Sequence, residues 1–131
     1  MHKHFSNPNN TIDDVRQELV ANKQYKALPE INQEKVYTSI ISDCNKIVEL
    51  QISDKIKEYF NNLNNTINDL QRELTANKQY ASLPDDVKKR LNDYSKTRCH
   101  DVIKSKYDRN MLRKHFSNPN NNLLFITIIQ I

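Results

Sequence analysis

The pentapeptide ANKQY stands at 21–25 and again, unchanged, at 76–80. Around it, 11–30 and 66–85 agree at 12 of 20 positions without a gap, and the differences are mostly mild: Val15/Leu70, Arg16/Gln71, Gln17/Arg72, Glu30/Asp85. Self-similarity at a period of 55 residues is the signature of a tandem structural repeat, in which each copy buries its core against the next. Few folds satisfy that constraint.

A second motif extends the pattern in both directions. HFSNPNNTI at 4–12 returns as YFNNLNNTI at 59–67 and as HFSNPNNNL at 115–123. His4-Phe5 therefore corresponds to Tyr59-Phe60 and His115-Phe116, at spacings of 55 and then 56. The extra residue falls between Tyr107 and Arg113, where the pattern predicts a loop. The chain divides accordingly: 1–10 is the end-piece of a preceding repeat, 11–65 a first repeat, 66–122 a second, and 123–131 an apolar tail, all in one globular unit.

Within each repeat the spacing is helical. Thr11 and Thr66 are N-cap residues with Asp14 and Asp69 three positions on, a variant of the capping box. Ile12, Val15 and Leu19, matched by Ile67, Leu70 and Leu74, form one apolar stripe at 3–4 spacing. A helix A is predicted over about 11–24 and 66–79. Leu28-Pro29-Glu30 and Leu83-Pro84-Asp85 then open a helix B, since Pro is tolerated in a first turn and acids suit the positive end of the helix dipole. Helix B is predicted over 29–50 and 84–106, with Val36/Leu91, Cys44/Cys99, Ile47/Val102 and Val48/Ile103 as its shared apolar stripe. Ser53-Asp54 and Asp108 are candidate caps for a short helix C; the alternative is one long helix, kinked, through B and C. The expected fold is all-α, a tandem helical-repeat bundle of two pseudo-repeats of about 55 residues, each a helical hairpin plus a short third helix.

Composition agrees. The chain has no Gly, so hairpin turns that need positive φ are disfavoured. Its 18 Asn cluster at 7–10, 61–65 and 118–122, which reads as solvent-exposed connections filled by codon bias, in preference to a polar recognition loop. The net charge of +4 is uneven: −1 over 1–56, +3 over 57–112 and +2 over 113–131. Dedicated nucleic-acid binders concentrate basic charge more strongly. No apolar run reaches the ~20 residues that span a bilayer, and MHKHFSNPNN lacks the apolar core of a signal peptide. An intracellular location follows as the expectation, cytoplasmic with the nucleus open, and the sequons Asn9-Asn10-Thr11 and Asn64-Asn65-Thr66 read as coincidence.

Chemistry-bearing residues are sparse. Cys44 and Cys99 share one repeat position on an apolar stripe and read as small buried hydrophobes. No C-x-x-C or H-x-x-x-H spacing supports zinc, and His2, His4, His100 and His115 do not converge in sequence. His4 and His115 replace Tyr59, so that position favours a flat ring beside the Phe. Asp13-Asp14 and Asp85-Asp86 sit at predicted helix starts and read as dipole partners. A Gly-free chain has no phosphate-cradling loop, and Ser occurs without a nucleophile-elbow context. No metal, cofactor or catalysis is expected.

The tail LLFITIIQI at 123–131 is uncharged and β-prone, an aggregation hazard unless covered. It is open to self-association, and a truncated fragment of a longer repeat array is an alternative reading. The leading expectation is a non-catalytic protein-interaction module with an unidentified protein partner. Its nominated surface is the A–B corners: Asn22, Lys23, Gln24 and Tyr25 with Asn77, Lys78, Gln79 and Tyr80. The alternative is nucleic-acid binding through the second repeat, by Lys88, Lys89, Lys96 and Lys104.

Overall fold

A computed structural model describes residues 2–117; the Asn cluster at 118–122 and the apolar tail at 123–131 lie outside the described residues. All regular structure among the described residues is helical. In chain order the helices are α1 (His2–Phe5), α2 (Ile12–Ala21), α3 (Lys23–Lys26), α4 (Glu30–Tyr59), α5 (Ile67–Ala76), α6 (Lys78–Ala81), α7 (Asp85–Lys106) and α8 (Arg109–Phe116).

The capping signals set the helix starts. The Thr11 N–H donates to the Asp14 carboxylate at 2.7 Å, which opens α2. At α5 the exchange is reciprocal: the Asp69 N–H donates to the Thr66 hydroxyl at 3.2 Å, and that hydroxyl donates to the Asp69 carboxylate at 2.9 Å. Pro29 and Pro84 stand one residue before α4 and α7, in extended backbone that cannot continue a preceding helix.

Helix A is shorter than the apolar pattern predicts. Asn22 and Asn77 leave helical geometry, with ψ of 128° and 117°, and divide the expected 11–24 and 66–79 into α2 plus α3 and α5 plus α6. Each Asn side chain accepts the N–H of the Tyr three residues on, Tyr25 or Tyr80, at 2.9 Å, and so caps the next short helix. The stripe alone missed this because an Asn in mid-pattern has no periodic signature; its preference for capping over helix interiors is the physical reason.

The B–C boundary resolves differently in the two halves. In the first, α4 runs unbroken for 30 residues, about 45 Å at helical rise, and neither Ser53 nor Asp54 caps anything. Ile52 and Ile56 lie on its buried side together with Cys44 and Val48, so there is a continuous stripe to keep one helix going. In the second half the extra residue intervenes. Added to a helix it would turn everything beyond it by about 100° and carry Phe116 off the apolar side. Instead α7 stops at Lys106, Tyr107 leaves helical geometry, and the Asp108 carboxylate accepts the Met111 N–H at 2.8 Å to begin α8.

The core lies chiefly between α4 and α7. Cys44, Val48, Ile52 and Ile56 of α4 meet Leu83, Val87 and Leu91 around α7, with Phe5, Ile12, Phe60, Leu70 and Leu74 closing the sides. The expected shared stripe on helix B is therefore not equally buried: Cys44 and Val48 are inside, whereas Cys99 is half-buried and Ile103 exposed.

Candidate interaction surface

The two ANKQY segments adopt the same local geometry and meet different surroundings. Lys23 and Lys78 point to solvent, and Tyr25 and Tyr80 are both half-buried. Tyr80 packs against the core with Lys88 Nζ 5.9 Å from its ring centre, and burial pushes its hydroxyl pKa above the usual tyrosine value. The two glutamines differ most. Gln24 is exposed. Gln79 is only 1% exposed, and its Nε2 donates to the carbonyls of Phe5 at 2.9 Å, Asn7 at 3.1 Å and Asn10 at 3.0 Å. An amide nitrogen carries two hydrogens, so one of them is shared between two carbonyls. Gln79 is thus an internal fastener of the loop before α2, and the expectation that both corners form free surface fails at this residue.

That loop is built by asparagine. The Asn9 N–H donates to the Asn7 side chain at 3.0 Å, the Asn10 N–H to the Asn7 carbonyl at 3.0 Å, and Asn10 Nδ2 to the His4 carbonyl at 2.9 Å. The loop at 59–65 repeats all three bonds: Asn64 N–H to the Asn62 side chain at 3.0 Å, Asn65 N–H to the Asn62 carbonyl at 3.0 Å, and Asn65 Nδ2 to the Tyr59 carbonyl at 2.9 Å. Asn side chains make these turns without positive φ, which no described residue adopts. The Asn clusters at 7–10 and 61–65 thus hold the turns they occupy.

The ring beside each Phe has a common role. His4–Phe5, Tyr59–Phe60 and His115–Phe116 are all edge-to-face pairs, with ring centres 4.8, 5.5 and 4.7 Å apart. Across the halves, Arg90 grips Glu49 with two bonds of 2.9 and 3.0 Å, and Arg98 donates to the Asn61 side chain at 3.2 Å. Sequence reasoning missed Arg90 and Glu49, because their pairing depends on how the halves stack.

Among the described residues, two ends carry apolar side chains that no other described residue covers. At the first, Leu28 is 36% exposed where Leu83, 55 residues on, is 4% exposed. Beside it a shallow groove of about 350 Å³ is lined by Val15, Glu18, Leu19, Asn22 and Ile40, whereas Leu70, Leu74 and Ser95 at the matching positions are buried. At the second end, Ile103 is 55% and Tyr107 53% exposed, against 0% for Val48 and 1% for Ile52.

The lysines nominated for nucleic acid do not form an uninterrupted face. Lys88 is half-buried over Tyr80. Lys89, Lys96 and Lys104 are exposed on one side of α7, and helical periodicity places Asp93 among them. Neither cysteine is in a disulfide; Cys44 is buried, and desolvation followed by the neighbouring Asp43 carboxylate raises its thiol pKa. Among the described residues no three His, Cys, Asp or Glu side chains group to hold a metal ion, and no helix is long and apolar enough to cross a membrane.

Comparison with protein-family models, with curated proteins and with solved structures returns no match.

Proposed function

We propose that the chain is a non-catalytic tandem helical-repeat protein that works as a protein-interaction module, and that it engages its partner through the uncovered end around Gln24. The observation that carries this reading is the contrast between Gln24 and Gln79. Two residues in an identical pentapeptide have identical caps, yet one is exposed and the other is fastened to three carbonyls. In a repeat stack each unit covers the preceding one, and the Gln24 corner carries the same docking groups as the Gln79 corner while Gln24 stays exposed among the described residues. Leu28 and the Val15–Ile40 groove supply the apolar area, and Gln24 supplies a directional donor. An apolar centre with a few placed polar groups suits another protein surface better than a small solute or a phosphate backbone.

The test is capture by the immobilised full chain from an extract of the cells that make it. Wild type is compared with Gln24→Glu and with Gln71→Glu, an exposed control on α5. Proteins held by wild type and by Gln71→Glu but lost with Gln24→Glu are expected. Equal retention by all three would overturn the reading.

A further inference from the structure

We infer that the partner at the Gln24 end is a second copy of this chain, docked head to tail so that the Gln24 end of one copy covers the Ile103–Tyr107 end of the other. The inference rests on the repeat-stack reading and names its occupant. The template for the contact is inside the molecule. Gln79 binds the carbonyls of Phe5, Asn7 and Asn10, which lie in a loop held by three asparagine bonds. Moving both partners by one period gives Gln24 as donor and the carbonyls of Phe60, Asn62 and Asn65 as acceptors. Those acceptors sit in a loop held by the same three bonds. Within one chain Gln24 and this loop belong to different ends of the stack and cannot meet; between two copies they can.

The apolar residues follow the same shift. Leu83, Val87 and Leu91 share one core with Val48 and Ile52 inside the chain; one period earlier stand Leu28, Asn32 and Val36, so two of the three apolar groups remain to cover Ile103 and Tyr107 of a neighbour. Such a contact is heterologous, since different patches meet, so it propagates instead of closing as a symmetric dimer.

Two features of the receiving end set the terms. First, α1 of the incoming copy occupies the repeat position that α8 holds in the receiving copy, so α8 must turn aside. It joins α7 through the non-helical Tyr107 and the Asp108 cap, where α4 is continuous, and that joint is the place for the movement. Second, the charge pair is lost. The shift of Arg90 and Glu49 brings Lys35 of one copy toward Lys104 of the other. Wild-type association is therefore weak, and a single charge change strengthens it.

The experiment is sedimentation velocity of the full chain from micromolar to millimolar concentration. Expected are species that grow with concentration past the dimer. Gln24→Glu, which turns a carboxylate toward three carbonyls, weakens association at least about tenfold, and Ile103→Glu does the same from the other end. Both residues are exposed, so neither change disturbs the core. Each variant keeps one intact end, and an equimolar mixture of the two forms a dimer and nothing larger. Lys104→Glu tightens association about threefold by supplying the opposite charge, an effect that misfolding does not mimic.

Three results would each overturn the inference. One is a chain that stays monomeric even with Lys104→Glu. Another is association indifferent to Gln24→Glu, which places it elsewhere, for instance at 123–131. The third is a mixture that fails to dimerise. A monomeric chain that still captures another protein in a Gln24-dependent way removes the second copy as partner and leaves the interaction-module reading standing. Failure of both experiments removes both.

Discussion

Gln79 Nε2 lies 2.9 Å from the carbonyl oxygen of Phe5, a residue 74 positions earlier in the chain. This amide ties the second half of the molecule to the loop that precedes the first. It also satisfies the Asn7 and Asn10 carbonyls, part of which would otherwise be buried without a donor. Leucine at 79 fills the space and takes this donor from the Phe5 and Asn10 carbonyls, while Asn7 keeps the Asn10 N–H, so Gln79→Leu is expected to cost about 2–4 kcal/mol. Gln24→Leu, in the same pentapeptide, changes the stability of the dilute chain by no more than about 0.5 kcal/mol. Urea unfolding of both variants measures the difference. Equal costs at the two positions would show that the Gln79 contact is not what holds the loop.

That contrast marks how far the sequence could be read. The all-helical class, the Thr11 and Thr66 caps and the Pro-led starts of α4 and α7 follow from local preferences, which a single sequence displays. The fate of Gln24 and Gln79 does not, because identical residues in identical local structure differ only in what stacks against them. The same holds for Val48 and Ile103 on the shared stripe: periodicity says which side of a helix is apolar and not whether a neighbour covers it. The break at Tyr107 was signalled by the extra residue, but the missing break in α4 was not, since Ser53 and Asp54 look like a cap until Ile52 and Ile56 are seen to be buried around them. Arg90 and Glu49 gave no signal, being one exposed charge pair among 36 charged side chains.

Asn22 and Asn77 make the same cap in different settings, and their removal should cost similar amounts. Asn→Ala at an N-cap costs about 1 kcal/mol. Alanine at 22 also removes the group that favours the break between α2 and α3, so the expected helix over 11–24 becomes more accessible in that variant. Thermal unfolding of Asn22→Ala and Asn77→Ala gives the energies, and amide exchange at Tyr25 and Tyr80 reports the cap itself. Loss of protection is expected at Tyr80 in Asn77→Ala, and protection there that survives the substitution would contradict the assignment. At Tyr25 a helix continued through 22 would pair the N–H with the Ala21 carbonyl instead.

Asp69 provides a pH signature. Its carboxylate is held below the usual range first by the Thr66 hydroxyl, then by Arg72 and the Thr66 N–H. A depressed folded-state pKa contributes stability that is present above the ordinary carboxylate pKa of about 4 and is lost as pH falls through the lower folded value. Asp69→Asn should therefore be less stable than wild type at neutral pH, and the two should converge on acidification. Denaturation midpoints taken across the acid range test the sign. Curves that stay parallel down to low pH would show that the carboxylate charge contributes nothing at this cap.

Ile52 and Ile103 separate burial from residue type. Both are isoleucines on the long helix of their half, but Ile52 is sealed between α4 and its neighbours while Ile103 faces outward on α7. Truncation of a sealed isoleucine removes its transfer free energy and leaves a cavity that the surrounding core fills only in part, so Ile52→Ala is expected to cost about 2–5 kcal/mol. Ile103→Ala removes a group already in contact with water, and its cost in the dilute chain stays within about 0.5 kcal/mol. At high concentration the order of effects changes: Ile103→Ala weakens association between copies, whereas Ile52→Ala acts on the fold alone. Unfolding of both variants in dilute solution, followed by sedimentation at high concentration, reads the two effects separately. A large stability loss from Ile103→Ala in dilute solution would mean that this end of α7 is covered within a single chain, and it would remove the apolar half of the proposed contact.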